Sequence, residues 1–280
     1  MLAVVLAFSS SLCWGLADFL GGLQSRVRPI VTVLLVEQVA AVAMGIAYVA
    51  GSGDAFPDLG AAALATGAGV AGCAALAAFY RGLAIGTMSI VAPVSATGAA
   101  VPVLVGLATG ERPGAIQVAG IVVAMGGIVL AAREPADVAP GPALRASLAL
   151  AGLAALGFGT FFVLIDRATE LGGAPWSLLL VRVGEVALLG GLALATRPAM
   201  PSGVRDAAPL LGIGVLDFSA TAFFALATEQ GLLSVVSVVG SLYPAVTVVL
   251  ARVVLAERVA RSQELGVVLT LAGVVAISAG

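Results

Sequence analysis

The chain has 280 residues, of which 61% are hydrophobic and 10% charged, with 13 Lys+Arg, 15 Asp+Glu, no histidine and a net charge of −2. Its mean hydropathy of +1.15 means far more apolar surface than one soluble core can hide, so the solvent for most of it is lipid. The absence of histidine, lysine and asparagine removes the usual zinc and haem ligands, Schiff-base lysines and histidine-dependent triads, and no basic patch suits nucleic acid.

Apolar runs of roughly 18 to 22 residues, each long enough to cross a hydrocarbon layer as a helix, recur from end to end. Residues 1–11 could pass for the core of a signal peptide, but they lack a basic start, and the run continues through Trp14 and Phe19 to Leu23. A retained first helix is expected. The predicted spans of the first half are 2–23, 30–50, 59–80, 87–108 and 113–132; those of the second are 145–165, 175–196, 207–227, 232–254 and 262–279. Between them Arg133 to Pro142, REPADVAPGP, is the local maximum of charge and proline and reads as the linker. Abundant Gly and Ala fit helices that approach closely through small residues. The expectation is an all-α integral membrane protein of ten transmembrane helices, a multi-pass protein of the cell membrane with no cofactor.

A motif occurs twice, roughly half the chain apart. Glu111, Arg112, Gln117, Gly120 and Gly127 are matched in type and spacing by Glu257, Arg258, Gln263, Gly266 and Gly273. Such self-similarity implies duplication, with repeats at 1–135 and 143–280. Five crossings per repeat make the second enter the membrane from the opposite side, so the repeats are inverted, and such repeats enclose a midplane site that opens to either face. Arginine placement puts Arg112 and Arg167 on one side and Arg26, Arg28, Arg81, Arg133, Arg145, Arg197, Arg205, Arg258 and Arg261 on the other. The positive-inside rule then places both termini outside.

Ionisable groups inside a span cost about 2.5 to 3.5 kcal/mol on insertion scales and need a partner, a cavity or a proton. Asp18 follows Trp14 by one turn and Ser11 by two, a face suited to a cation or zwitterion, unless Arg26 or Arg28 holds Asp18 at the interface. Glu37 and Asp217 lie mid-span among apolar residues. A carboxyl that exchanges a proton inside an alternating-access cavity is what proton coupling requires. Arg182 and Glu185, spaced i, i+3, either pair with each other or leave Arg182 free to bind an anionic group, and Asp217 could be neutralised by Arg182. Ser234, Ser237, Ser241 and Pro244 form one stripe that either lines a cavity or packs helices. Tyr243 is a candidate for the cavity wall, and Pro93, Pro102 and Pro244 mark the fourth span of each half as a hinge. Cys13 and Cys73 read as small hydrophobes.

The doubled motif, together with Trp14-Gly15 and Phe19 in the first helix and Phe158-Gly159 in the sixth, resembles the EamA family of the drug/metabolite transporter superfamily. The resemblance covers nearly the whole chain. It implies a secondary transporter, commonly an exporter of amino acids, other metabolites or drugs, with a cavity lined by helices 1 to 4 and 6 to 9 and scaffolded by 5 and 10. It also implies that Glu111 and Glu257 cap the turns between helices 4 and 5 and between 9 and 10. Asp18 departs from the neutral polar residue of many relatives. The expected activity is proton-coupled export of a small polar or cationic metabolite or drug. The alternatives are facilitative exchange or a membrane enzyme acting on lipid-linked substrates, for which the single acids on separate helices are a poor fit. The expected partners are thus a small-molecule substrate, protons and the bilayer, and no nucleic acid.

Overall fold

In the computed structural model, residues 1–131, 141–256 and 261–279 are described, and every regular element among them is helical. The helices are α1 (Leu2–Gln24), α2 (Ile30–Ser52), α3 (Leu59–Ile85), α4 (Met88–Ala96), α5 (Ala100–Ala108), α6 (Ala115–Ala131), α7 (Pro142–Gly172), α8 (Ala174–Thr196), α9 (Val204–Thr228), α10 (Leu233–Gly240), α11 (Tyr243–Leu255) and α12 (Arg261–Ala279). Among the described residues eight segments are long and apolar enough to cross a membrane, two of them composite: Ile90–Ala108 and Leu233–Leu255. The apolar stretch Ala115–Leu130 is shorter, and the last predicted span is the helix α12. Most of the predicted linker, and Glu257 and Arg258 of the second motif, lie outside the described residues.

Two helices, α3 and α7, overrun the predicted ends of their spans by a full turn or more. α7 extends to Gly172 because the Arg167–Glu170 pair, 2.6 Å apart, and the Thr169 hydroxyl donating to the Ile165 carbonyl carry the helix on, until Gly173 at φ 73° turns the chain. α3 likewise continues past Arg81 and stops at Gly86. The composite segments break where proline predicts. Pro102 cannot donate to the Gly98 carbonyl and a 3-10 turn at Thr97–Ala99 separates α4 from α5. Pro244 cannot donate to Gly240, and α10 ends there before α11 begins at Tyr243.

Packing follows a paired pattern. α3 lies along α7 and α8, α9 along α1 and α2, α6 against α12, and α4–α5 against α10–α11. Small residues set the crossings: a Cβ on Gly15 would come within 2.7 Å of the Tyr243 carbonyl oxygen, and one on Gly159 within 2.6 Å of the Gly98 carbonyl oxygen. These are the glycines of the Trp14-Gly15 and Phe158-Gly159 pairs. Motif glycines behave alike, with Gly127 against the Gly266 carbonyl and Gly273 against the Gly120 carbonyl.

Side-chain ties show which way the helices run. Arg28, between α1 and α2, pairs with Asp206 at the start of α9, whereas the Trp176 indole at the start of α8 donates to the Asp54 carbonyl between α2 and α3. α2 therefore begins at the end of the bundle where α9 begins, and α8 begins at the opposite end, so α2 and α8 run antiparallel.

Candidate functional site

Helices α1, α8 and α9 bring their polar groups to one level of the bundle. Arg182, 1% exposed, donates through Nη1 to Glu185 Oε2 at 2.7 Å and to Asp217 Oδ2 at 2.6 Å, and through Nη2 to the Thr221 hydroxyl at 2.8 Å. Both pairings open to Arg182 in the sequence are thus made together, as five donors on one planar fork allow. Its Cζ also lies 5.9 Å from the centre of the Phe218 ring. The other Asp217 oxygen accepts the Trp14 indole N–H at 3.2 Å. Thr221 sits one turn after Asp217 and donates back to the Asp217 carbonyl at 2.9 Å, which leaves its hydroxyl oxygen to accept from Arg182.

Trp14 and Asp18 share one face of α1, one turn apart. Asp18 is 5% exposed, and among the described residues no donor reaches its carboxylate; Arg28 is engaged with Gln24 and Asp206. Ser11, two turns before Asp18, donates to the Phe8 carbonyl within its own helix.

Glu37 is fully buried and neither carboxyl oxygen has a partner. It sits where α2 crosses α9 at closest approach: a Cβ on Gly214 would come within 1.9 Å of the Glu37 carbonyl oxygen. The neighbouring Gln38, 3% exposed, lies beside Glu185.

A cavity opens between the halves. Its polar wall is Asp18, Glu185, Asp217 and Thr221, and its apolar wall includes Trp14, Phe158, Phe161, Phe162 and Tyr243. The rings brace one another, Trp14 lying 5.6 Å from Phe162 and Phe158 edge-on to Tyr243 at 6.3 Å. The Tyr243 hydroxyl is hydrogen-bonded to Ser95 at 2.8 Å. Five of the residues singled out from the sequence, Trp14, Asp18, Glu185, Asp217 and Tyr243, line this cavity. Arg182 stands behind two of them, and Glu37, Ser237 and Ser241 do not line it. Ser237 is buried without a partner, and Ser241 lines a separate small space with Pro93, Ile128 and Thr270.

With this geometry in view, residues 145–279 match the family model of the EamA-like transporter family. That segment, just under half of the chain, matches a family of the drug/metabolite transporter superfamily. No match was found among curated proteins. Among solved structures the chain is similar over its length to one titled only "Crystal structure of protein", with a TM-score of 0.71 and 18% identity, covering 98% of this chain and 95% of that one. That likeness is one of fold. For a chain whose second half matches the EamA-like transporter family, a polar cavity walled by helices from both halves is the natural place to look for a substrate.

Sequence reasoning passed over Gln38, Thr221, Phe161 and Phe162. Thr221 carried a usable signal, its i+4 spacing from Asp217, while the phenylalanines looked like any other apolar filler. The role of Glu111 also differs from expectation. Instead of capping its own turn, its carboxylate accepts from the backbone N–H groups of Leu233 and Ser234, at 2.7 and 3.0 Å, the open donors at the start of α10. The positive end of a helix attracts a carboxylate more than the adjoining turn does. Gly106 leaves the room, since a Cβ there would come within 2.3 Å of Glu111 Oε2. Gln117 is the residue that caps locally, accepting from Gly114 N–H at 2.9 Å at the start of α6.

Proposed function

We propose that the chain is a proton-coupled secondary transporter of the cell membrane that exports a small polar or cationic metabolite or drug by alternating access. Two repeats, 1–135 and 143–280, would rock about the cavity between them; the antiparallel α2 and α8 and the matched glycine crossings support their inversion.

The observation that carries coupling is an imbalance of charge. Among the described residues four carboxyl groups, those of Asp18, Glu37, Glu185 and Asp217, lie in the membrane core with one guanidinium, that of Arg182, which already serves two of them. An unpaired charge is too costly to keep there. The surplus is met by protons or by a cation, and Glu37, sealed in with no partner, is the proton carrier. Charged groups that act on it are Asp217, Glu185 and Arg182 from α8 and α9 and Asp18 from α1. Because Glu37 packs where α2 crosses α9, gain or loss of its proton bears on the contact that must slide when the halves rock.

Flux of a candidate substrate into liposomes holding the purified protein, with and without an imposed pH gradient, tests this reading. A rate that follows the gradient supports coupling. A rate indifferent to it means facilitated exchange.

A further inference from the structure

We infer that the ligand of this cavity is an organic monocation, an ammonium group on an apolar or aromatic body, and that Asp18 is its counter-charge. The inference rests on reading the cavity as the transport site and adds the class of substrate.

The argument is one of elimination among groups a ligand could meet. Every cavity-lining polar group except Asp18 is already used. Glu185 and Asp217 hold Arg182, Asp217 also holds Trp14, and Thr221 is bonded on both sides. Tyr243 spends its hydroxyl on Ser95. The two amphipathic aromatics therefore offer the ligand ring surface and no polar tip.

Among the described residues no base lines the cavity, since Arg182 lies behind the carboxylates that neutralise it. An anion, or the carboxylate of an amino acid, finds no positive partner and faces three carboxylates. Asp18 is left, more than nine-tenths buried, turned into the cavity and without a donor. A carboxylate that shares its cavity with Trp14, Phe158 and Tyr243 can combine ion pairing with cation–π attraction, the pairing that recognises ammonium ligands.

The experiment uses the full chain in nanodiscs and four probes on one benzyl framework: benzyltrimethylammonium, its neutral carbon isostere neopentylbenzene, phenylacetate and phenylalanine. Binding is read by isothermal titration calorimetry with no gradient present. Benzyltrimethylammonium binds, the other three bind at least about tenfold more weakly, and Asp18→Asn loses about tenfold or more of the cation's affinity while leaving that of neopentylbenzene unchanged. Phenylacetate or phenylalanine binding as well as the cation overturns the inference, as does a folded Asp18→Asn protein that holds the cation unaltered. If Asp18→Asn does not fold, the four-probe ranking on the unmodified chain still decides. Because no proton gradient is involved, loss of coupling in liposomes leaves this result standing, and failure of cation binding leaves coupling standing.

Discussion

Asp217 ties α9 to two other helices at once, accepting Arg182 of α8 at 2.6 Å with one oxygen and the Trp14 indole of α1 at 3.2 Å with the other. Movement of α1 against α8 has to break one of these bonds. Asp217→Asn keeps the shape and still accepts one hydrogen bond but removes the charge that anchors Arg182. We expect transport to fall by about tenfold or more, with expression and the melting temperature close to those of the unmodified chain because Glu185 still neutralises the guanidinium. Arg182→Met is the contrasting change: it strands two carboxyl groups and is expected to cost about 3 to 5 kcal/mol. Thermal melts of the two purified variants check the order, and Asp217→Asn melting below Arg182→Met would contradict it.

Glu37→Gln removes an ionisable group that has no partner to lose. Stability is therefore expected to hold, because the amide is neutral, has the same shape and forfeits no hydrogen bond. The variant is expected to transport without responding to a pH gradient. Counterflow and gradient-driven flux measured on the same liposome preparation separate the two properties. Gradient-driven flux that survives in Glu37→Gln would assign the proton to another carboxyl.

How far the sequence could be read depended on the physics at each place. Helix positions were legible because a bilayer demands about twenty apolar residues for each crossing, and the breaks beside Pro102 and Pro244 were legible because proline lacks a donor. Rotation about each helix axis was not. α2 is apolar nearly all the way round, so nothing in the run of residues about Glu37 says which neighbours its carboxyl meets. The ninth predicted span, 232–254, was open in the same way: Ser241 lines a small space with Pro93, Ile128 and Thr270, whereas Tyr243 lines the cavity. Arg182 was ambiguous for a different reason, since a guanidinium with five donors need not choose between Glu185 on its own helix and Asp217 on the next.

Glu111 holds the first turn of α10 from a distant part of the chain. Glu111→Ala leaves the Leu233 and Ser234 N–H groups without their acceptor and is expected to destabilise by about 1 to 2 kcal/mol, in the range of a lost helix cap. Glu111→Gln keeps an acceptor without the charge and is expected to fall between. Both effects should appear as lower melting temperatures, and Glu111→Ala melting with the unmodified chain would mean that water replaces the carboxylate.

The adjacent glycines 126 and 127 give a test of the α6–α12 crossing that is independent of the cavity. On Gly127 a Cβ would come within 2.4 Å of the Thr270 backbone nitrogen, whereas on Gly126 it would meet nothing within 4 Å. Backbone cannot step aside as a side chain can, so Gly127→Leu must push the helices apart, at an expected cost of about 1 to 3 kcal/mol or more. Gly126→Leu points away from that contact and replaces a poor helix former with a good one, worth up to about 1 kcal/mol in the other direction. The two variants have the same composition, so any general effect of added leucine cancels between them. Thermal melts should therefore place Gly127→Leu below and Gly126→Leu at or above the unmodified chain. If the two melt together, the motif glycines do not set this crossing.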